Sequence, residues 1–191
     1  MTILDAREAG SLSGGASFSF RNRLTRLAFA VVWLVCARWT PRQFNPLRLL
    51  ILRLFGARVS RSATVYGSVR IWLPSHLVME PGSTLGPGVE CYAMAPITLR
   101  AGAIVSQRAH LCAGTHDFRD PAFQLYARPI VIGPKAWIAA EAFVGPGVTV
   151  GEGAVLGARA CAFRDLDAWT VYSGNPCEPV GVREIRSASA A

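Results

Sequence analysis

Aliphatic residues return at every sixth position along much of this chain, and few folds can satisfy that period. The cleanest run is Ile132, Ile138, Val144, Val150 and Leu156; the residue four places after each is small, namely Ala136, Ala142, Val148, Ala154 and Ala160. A helix needs apolar residues 3.6 apart and a half-buried strand needs strict alternation, so neither element accounts for sixes. A coil of three short parallel strands joined by turns does, with one aliphatic and one small side chain per six directed inward. Glycines crowd the expected turns, in "GPG" at Gly86 to Gly88, "GPG" at Gly145 to Gly147 and "GEG" at Gly151 to Gly153. Such turns need backbone angles closed to other residues. Three sixes predict a coil of 18 residues, and the fold class is all-β, a parallel β-helix.

The same count runs through Val59, Val65, Ile71 and Leu77, slips to Leu85, Cys91 and Ile97, and slips by two to Leu99, Val105 and Leu111. It then stops. In "LCAGTHDFRDPAF" the pattern makes Leu111 and Thr115 the inward pair and leaves His116 facing out of the core; nothing from Asp117 to Arg128 keeps the spacing. A loop leaving a rigid coil at this point is placed to wall off a groove beside the imidazole.

With 191 residues, 51% of them apolar and 17% charged, the chain suits one folded unit with appendages rather than disorder. The expected segments are a disordered 1–20, a basic and apolar helical segment 21–57, the β-helix 58–172 with a loop at 117–129, and a C-terminal extension 173–191. Leu27 to Ala37 is apolar but lies between Arg26 and Arg38, far short of the roughly 20 residues that cross a bilayer. In Leu47 to Phe55 the apolar run is interrupted by Arg48 and Arg53, which could snorkel toward lipid headgroups. From Ala9 to Met79 there is no acid, while ten of the 20 basic residues fall there. These helices suit either peripheral attachment to an anionic membrane surface or packing on the protein body or a sister subunit.

No helix-turn-helix, zinc-finger spacing or aromatic RNA-binding motif accompanies the net charge of +8, which excludes nucleic acid as the expected partner. Five scattered cysteines without a CxxC pair suit free thiols in a reducing compartment. With no signal peptide visible, a cytoplasmic location is expected, at the inner face of the membrane if the helices attach.

The segments "VRIWLP", "VECYAMAPITL", "VSQRAHLCAGTHDFRDPAF", "PIVIG", "AWIAAEAFVGPGVTVGEGAVLGARA" and "YSGNPCEPVG" resemble the hexapeptide-repeat acyltransferases, and among them the colanic acid biosynthesis acetyltransferases. The resemblance implies left-handed coils, a homotrimer with its sites between subunits, acetyl-CoA as donor, and a sugar hydroxyl of an exopolysaccharide precursor, such as a lipid-linked oligosaccharide, as acceptor. His116 takes the place of the general base, Trp137 that of a tryptophan near the thioester, and Ala140 and Ala158 those of small residues beside the pantetheine arm. Arg164 and Arg183 match positions that meet the coenzyme phosphates, and Glu90 and Tyr92 match sugar-facing residues. The chain departs from the pattern in having Arg164 for lysine, Phe163 for threonine, Asp167-Ala168 for paired prolines, Ala93 for asparagine, and two extra residues after "GNPC".

The chemistry fits a histidine. A sugar hydroxyl attacks a thioester well only as its proton leaves, and an imidazole with an ordinary pKa of about 6.5 suits that transfer. A thioester is already activated, so direct transfer in a ternary complex is expected. Cys112 has nothing near it in sequence to lower its pKa and is not the expected nucleophile. A zinc site would need three histidines, and His110 and His116, one hexad apart, fall on successive faces, so no metal is expected. Two other readings stay open: transfer to free galactosides, maltose-type sugars or xenobiotics, and an inactive trimeric scaffold.

Overall fold

All fifteen sixth-position residues, fourteen aliphatics and Cys91, turn inward, none exposing more than 8% of its surface. The computed structural model describes residues 18–185, so most of the segment expected to be disordered, and the last six residues, lie outside the described residues. Within them the chain winds into a parallel β-solenoid of six coils with two helices over its first coil.

Three sheets form the faces. The first runs from Arg58–Val59 through Leu77–Met79, Ile97–Leu99 and Ile130–Ile132 to Thr149–Val150. The second stacks Thr64–Val65, Thr84–Leu85, Ile104–Val105, Trp137–Ile138, Val155–Leu156 and Thr170–Ser173. The third stacks Arg70–Ile71, Glu90–Tyr92, His110–Cys112, Phe143–Val144 and Cys161–Ala162. At the far end Glu178–Val182 folds back antiparallel on Thr170–Ser173.

The expected 18-residue coil holds only in the second half, where Ile138 pairs with Leu156. Earlier coils take 20 residues, since Val65 pairs with Leu85 and Leu85 with Val105. The two extra residues fall each time on the first face, whose strands carry two inward residues: Leu77 stacks on Ile97 and Met79 on Leu99, and both partners stack in turn on Ile130 and Ile132. A parallel ladder bonds each strand to the one a coil away, so a wider corner persists only if its neighbour shares it. The two slips are therefore one structural feature repeated.

The paired glycines divide their work. In each of the three motifs the second glycine has positive φ: Gly88 at 68°, Gly147 at 86° and Gly153 at 65°. The first does not; it gives room. A Cβ on Gly151 would lie 2.5 Å from Ala168 N, and one on Gly86 would lie 2.9 Å from Val105 O, both in the backbone of the next coil. The same left-handed corner also accepts other residues, in a column of Arg108, Glu141 and Arg159, where Glu141 takes ion pairs from both arginines.

Helix α1, Phe20–Cys36, starts at Ser19, whose Oγ accepts from the Asn22 amide at 3.4 Å, and buries Phe29 and Trp33. Helix α2, Asn45–Leu54, covers the open end of the solenoid, where the first strands have no partner on one side. Side chains supply the missing bonds. Trp33 Nε1 donates to Gly67 O at 3.1 Å, and Asn45 pairs with Ala63 O and Val65 N at 2.8 and 2.9 Å. Arg48 and Arg53 do not reach toward headgroups, as the sequence suggested, but turn to the coil: Arg53 donates to Val59 O, and Arg48 Nε to Val65 O at 2.7 Å. Arg48 is 1% exposed, and its other nitrogens donate to Thr40 O and Oγ1, Pro41 O and Arg42 O. Five acceptors without a carboxylate make this guanidinium a capping group for backbone carbonyls.

Replacing it strands those carbonyls. Arg48→Ala is expected to lower the unfolding free energy in urea by about 3 kcal/mol or more, as buried acceptors lose their donors. Arg48→Lys should recover little of this, because an ammonium cannot span the same fork of acceptors.

Candidate active site

The solenoid is interrupted once by a long insertion. Cys112 reaches Ile130 in eighteen steps where Tyr92 reaches Ile97 in five, so thirteen residues are added at the corner between the third and first faces. They form an antiparallel hairpin, Gly114–His116 against Leu125–Ala127, in place of the irregular loop expected from sequence. The coil is left sooner than the six-residue count implies. Ala113, fully buried, is the last core residue, while Thr115 is half-buried and pairs across the hairpin with Tyr126. The hairpin is anchored by Leu125, which packs in a small cluster with Phe18 and Met94 against Trp72 and Tyr92 on the third face.

His116 is exposed at the end of the first hairpin strand. Its Nδ1 lies 2.7 Å from Phe123 O, and its ring stacks on that of Phe123 with centroids 4.4 Å apart and planes 13° apart. A carbonyl oxygen only accepts, so in the neutral imidazole Nδ1 carries the proton and Nε2 presents a lone pair. Phe123 holds φ at 51°, a left-handed conformation that a bulky residue adopts at a cost, and its carbonyl is the imidazole's partner. Asp117 does not orient the ring: its Oδ1 accepts from the Arg119 amide at 3.0 Å. Beside His116 opens a cavity of about 570 Å³, lined among others by Asp117, Arg119, Asp120, Tyr126 and Arg128.

The other expected site residues lie elsewhere on the same chain. Trp137 is on the second face, 42% exposed, with Nε1 donating to Ser106 Oγ at 2.8 Å. Ala140 follows it in the next turn, and Ala158 occupies the equivalent turn one coil on, the Arg159 amide donating to Ala140 O. These three therefore share one edge of the prism. Arg183 Nη1 donates to Lys135 O and Gly153 O at the start of that face, whereas Arg164 leaves the third face and pairs with Glu178. Glu90 and Tyr92 lie on the third face below the hairpin, paired with His110 and Cys112. None of these seven lines the cavity at His116.

Burial raises the pKa of the Cys112 thiol, so it is a poor thiolate at neutral pH; its Sγ donates to Gly114 O at 3.2 Å. Among the described residues no group of three or more His, Cys, Asp or Glu side chains is arranged to hold a metal ion. Sequence reasoning missed Phe123 and Ser106. Phe123 acts through a backbone carbonyl, which leaves no mark in the sequence, and Ser106 faces Trp137 only once the coils are stacked.

No family model matches the chain. It is 40% identical over 146 residues to the colanic acid biosynthesis acetyltransferase WcaF of Escherichia coli (strain K12), covering 76% of this chain and 79% of that protein. The chain belongs to the hexapeptide-repeat acetyltransferases. A maltose O-acetyltransferase from Clostridium difficile 630 has the same fold, with a TM-score of 0.79 at 19% identity, over 97% of this chain and 100% of that one. So has a hexapeptide-repeat acetyltransferase of Vibrio cholerae O1 biovar eltor complexed with acetyl coenzyme A, with a TM-score of 0.77 at 18% identity, over 90% and 94%. The exposed imidazole of His116, at the end of the first hairpin strand, sits where the six-residue repeat of this chain is broken.

Burial also lowers the pKa of His76 and of His110, whose Nε2 is enclosed without a hydrogen-bond partner between Glu90, Tyr92 and Phe143. As pH falls through about 6.5 the unfolded chain takes up these protons before the folded one, so stability drops in acid. The thermal midpoint should fall between pH 7.5 and pH 5.5, and His110→Phe should flatten that fall.

Proposed function

We propose that this acetyltransferase moves an acetyl group from acetyl-CoA to a sugar hydroxyl of an exopolysaccharide precursor, with His116 as general base. The observation that carries the reading is the hydrogen bond from His116 Nδ1 to Phe123 O, which in the neutral imidazole keeps the lone pair on Nε2, in a residue that lines the cavity. His116 Nε2 takes the acceptor proton as the sugar oxygen attacks the thioester carbonyl, and returns it to the departing sulfur. Both substrates are held at once, since no nucleophile on the chain is needed or, at Cys112, suitably ionised.

The site is composite. His116 is on the hairpin and the column of Trp137, Ala140 and Ala158 is on the second face, and none of those three lines the cavity at His116. A homotrimer with parallel solenoids solves this by bringing the hairpin of one subunit to the second face of the next, the arrangement that the family resemblance implies. There Trp137 would flank the thioester, the two alanines the pantetheine arm, and Arg164 and Arg183 the phosphates, with Glu90 and Tyr92 toward the sugar.

No helix of the described residues is long and apolar enough to cross a membrane. The outer side of α1 nevertheless presents Phe20, Leu24, Leu27, Val31 and Leu34 to solvent, opposite buried Phe29 and Trp33, with Arg21, Arg23 and Arg38 at its ends. A face that is apolar with only cationic neighbours suits the anionic inner surface of the cytoplasmic membrane, where a lipid-linked acceptor is presented.

His116→Ala should lower kcat/KM for acetyl transfer at least about a hundredfold with unchanged thermal unfolding. Co-expressed with Trp137→Ala, it should regain about a quarter of wild-type activity, because random assembly restores that share of intact two-subunit sites. Retained activity in His116→Ala removes the base, and no recovery on co-expression removes the shared site. The full chain should sediment with vesicles containing phosphatidylglycerol and not with phosphatidylcholine alone. Leu27→Glu/Val31→Glu should abolish that, whereas loss of the trimer in this variant would make the face a subunit contact.

A further inference from the structure

The wall that the hairpin raises beside His116 carries two guanidinium groups that the chain leaves without an anion. Arg119 lies over the Phe118 ring at 5.4 Å from its centroid, and Arg128 over Tyr126 at 5.5 Å. Neither side chain makes a hydrogen bond or ion pair among the described residues. Four other arginines of the solenoid do find carboxylates: Arg100 finds Glu80, Arg108 and Arg159 find Glu141, and Arg164 finds Glu178.

The acids that share the cavity are turned to the backbone. Asp117 Oδ1 accepts from the Arg119 amide at 3.0 Å, and Asp120 Oδ1 from the Ala122 amide at 2.9 Å, so both shape the hairpin tip. Stacking on an aromatic ring holds a guanidinium plane while leaving its N–H edge free, and that edge fits a carboxylate or phosphate in fork geometry. Both arginines line the cavity that His116 lines, whose volume of about 570 Å³ is that of a small-ligand site.

We propose that Arg119 and Arg128 form an anion subsite, so that the acceptor is a saccharide bearing an oxyanion close to the hydroxyl that becomes acetylated. Two sources share that chemistry: the carboxylate of a uronic acid residue, and the phosphate ester at the reducing end of an activated or lipid-linked sugar. The proposal rests on the reading of His116 as the base facing this cavity. It deepens that reading by naming the charge of the acceptor and the residues that select it.

Binding and turnover test it separately. Glucuronate, UDP-glucose and methyl glucoside are titrated against the full chain by calorimetry, and then offered as acceptors with acetyl-CoA. One of the two anionic probes should bind at least about tenfold more tightly than the neutral glucoside, the scale of a charge-assisted fork; which one binds identifies the source. Arg119→Gln and Arg128→Gln should each weaken that probe about tenfold or more, raising its KM with kcat and the KM for acetyl-CoA unchanged, and leave methyl glucoside as it was. Equal binding of all three probes, or Gln variants that bind the anionic probe as wild type does, overturns the subsite. Selective binding without any acetyl transfer would sink the proposed reaction and leave the subsite standing.

Discussion

Everything in this protein depends on a parallel ladder that repeats coil on coil, in which each short strand bonds to the strand directly above it. That rule converts a local change of path into a constraint on every neighbour. The wide corner at Leu77 and Met79 recurs at Ile97 and Leu99 and again at Ile130 and Ile132, because an unmatched corner would leave strand amides unpaired. The corner glycines follow from the same rule: Gly86 and Gly151 let the next coil's backbone pass where a Cβ would meet it. At the open end the ladder needs a substitute partner, and α2 provides one through Asn45, Arg48 and Arg53.

Against that regularity, the hairpin after Cys112 is tolerated because it returns to the corner it leaves. The Arg128 amide donates to Ala113 O at 2.9 Å, closing the root, and Ile130 resumes the ladder on Ile97. A rigid scaffold therefore holds a short antiparallel arm, and the arm holds one imidazole. The cost is local. Phe123 takes a left-handed backbone so that its carbonyl meets Nδ1 while its ring supports the imidazole from one side.

The core was legible in the sequence because inward side chains recur at fixed steps whatever the coil length, and all fifteen expected inward residues are buried. The 20-residue coils were not, since a slip of two looks like an irregularity until Met79 and Leu99 are seen stacked. Arg48 was misread for a physical reason: a cation in an apolar run resembles an amphipathic membrane helix, and only the fold shows five carbonyl and hydroxyl oxygens waiting for it. His116 stood out because the count stopped there. Thr115 was placed in the core by a count that had already ended at Ala113. The tautomer of His116 could not be read at all, because it is set by a main-chain oxygen seven residues away.

That tautomer is the central claim, and nitrogen NMR of the imidazole reads it directly. With histidine labelled at both ring nitrogens, the neutral form of His116 should show a protonated Nδ1 and a bare Nε2, a pattern that Phe123→Pro, which disturbs the turn, should erase. A proton found on Nε2 in the neutral wild-type protein would contradict the account, because the nitrogen proposed to take the acceptor's proton would then be a donor and could not serve as the base.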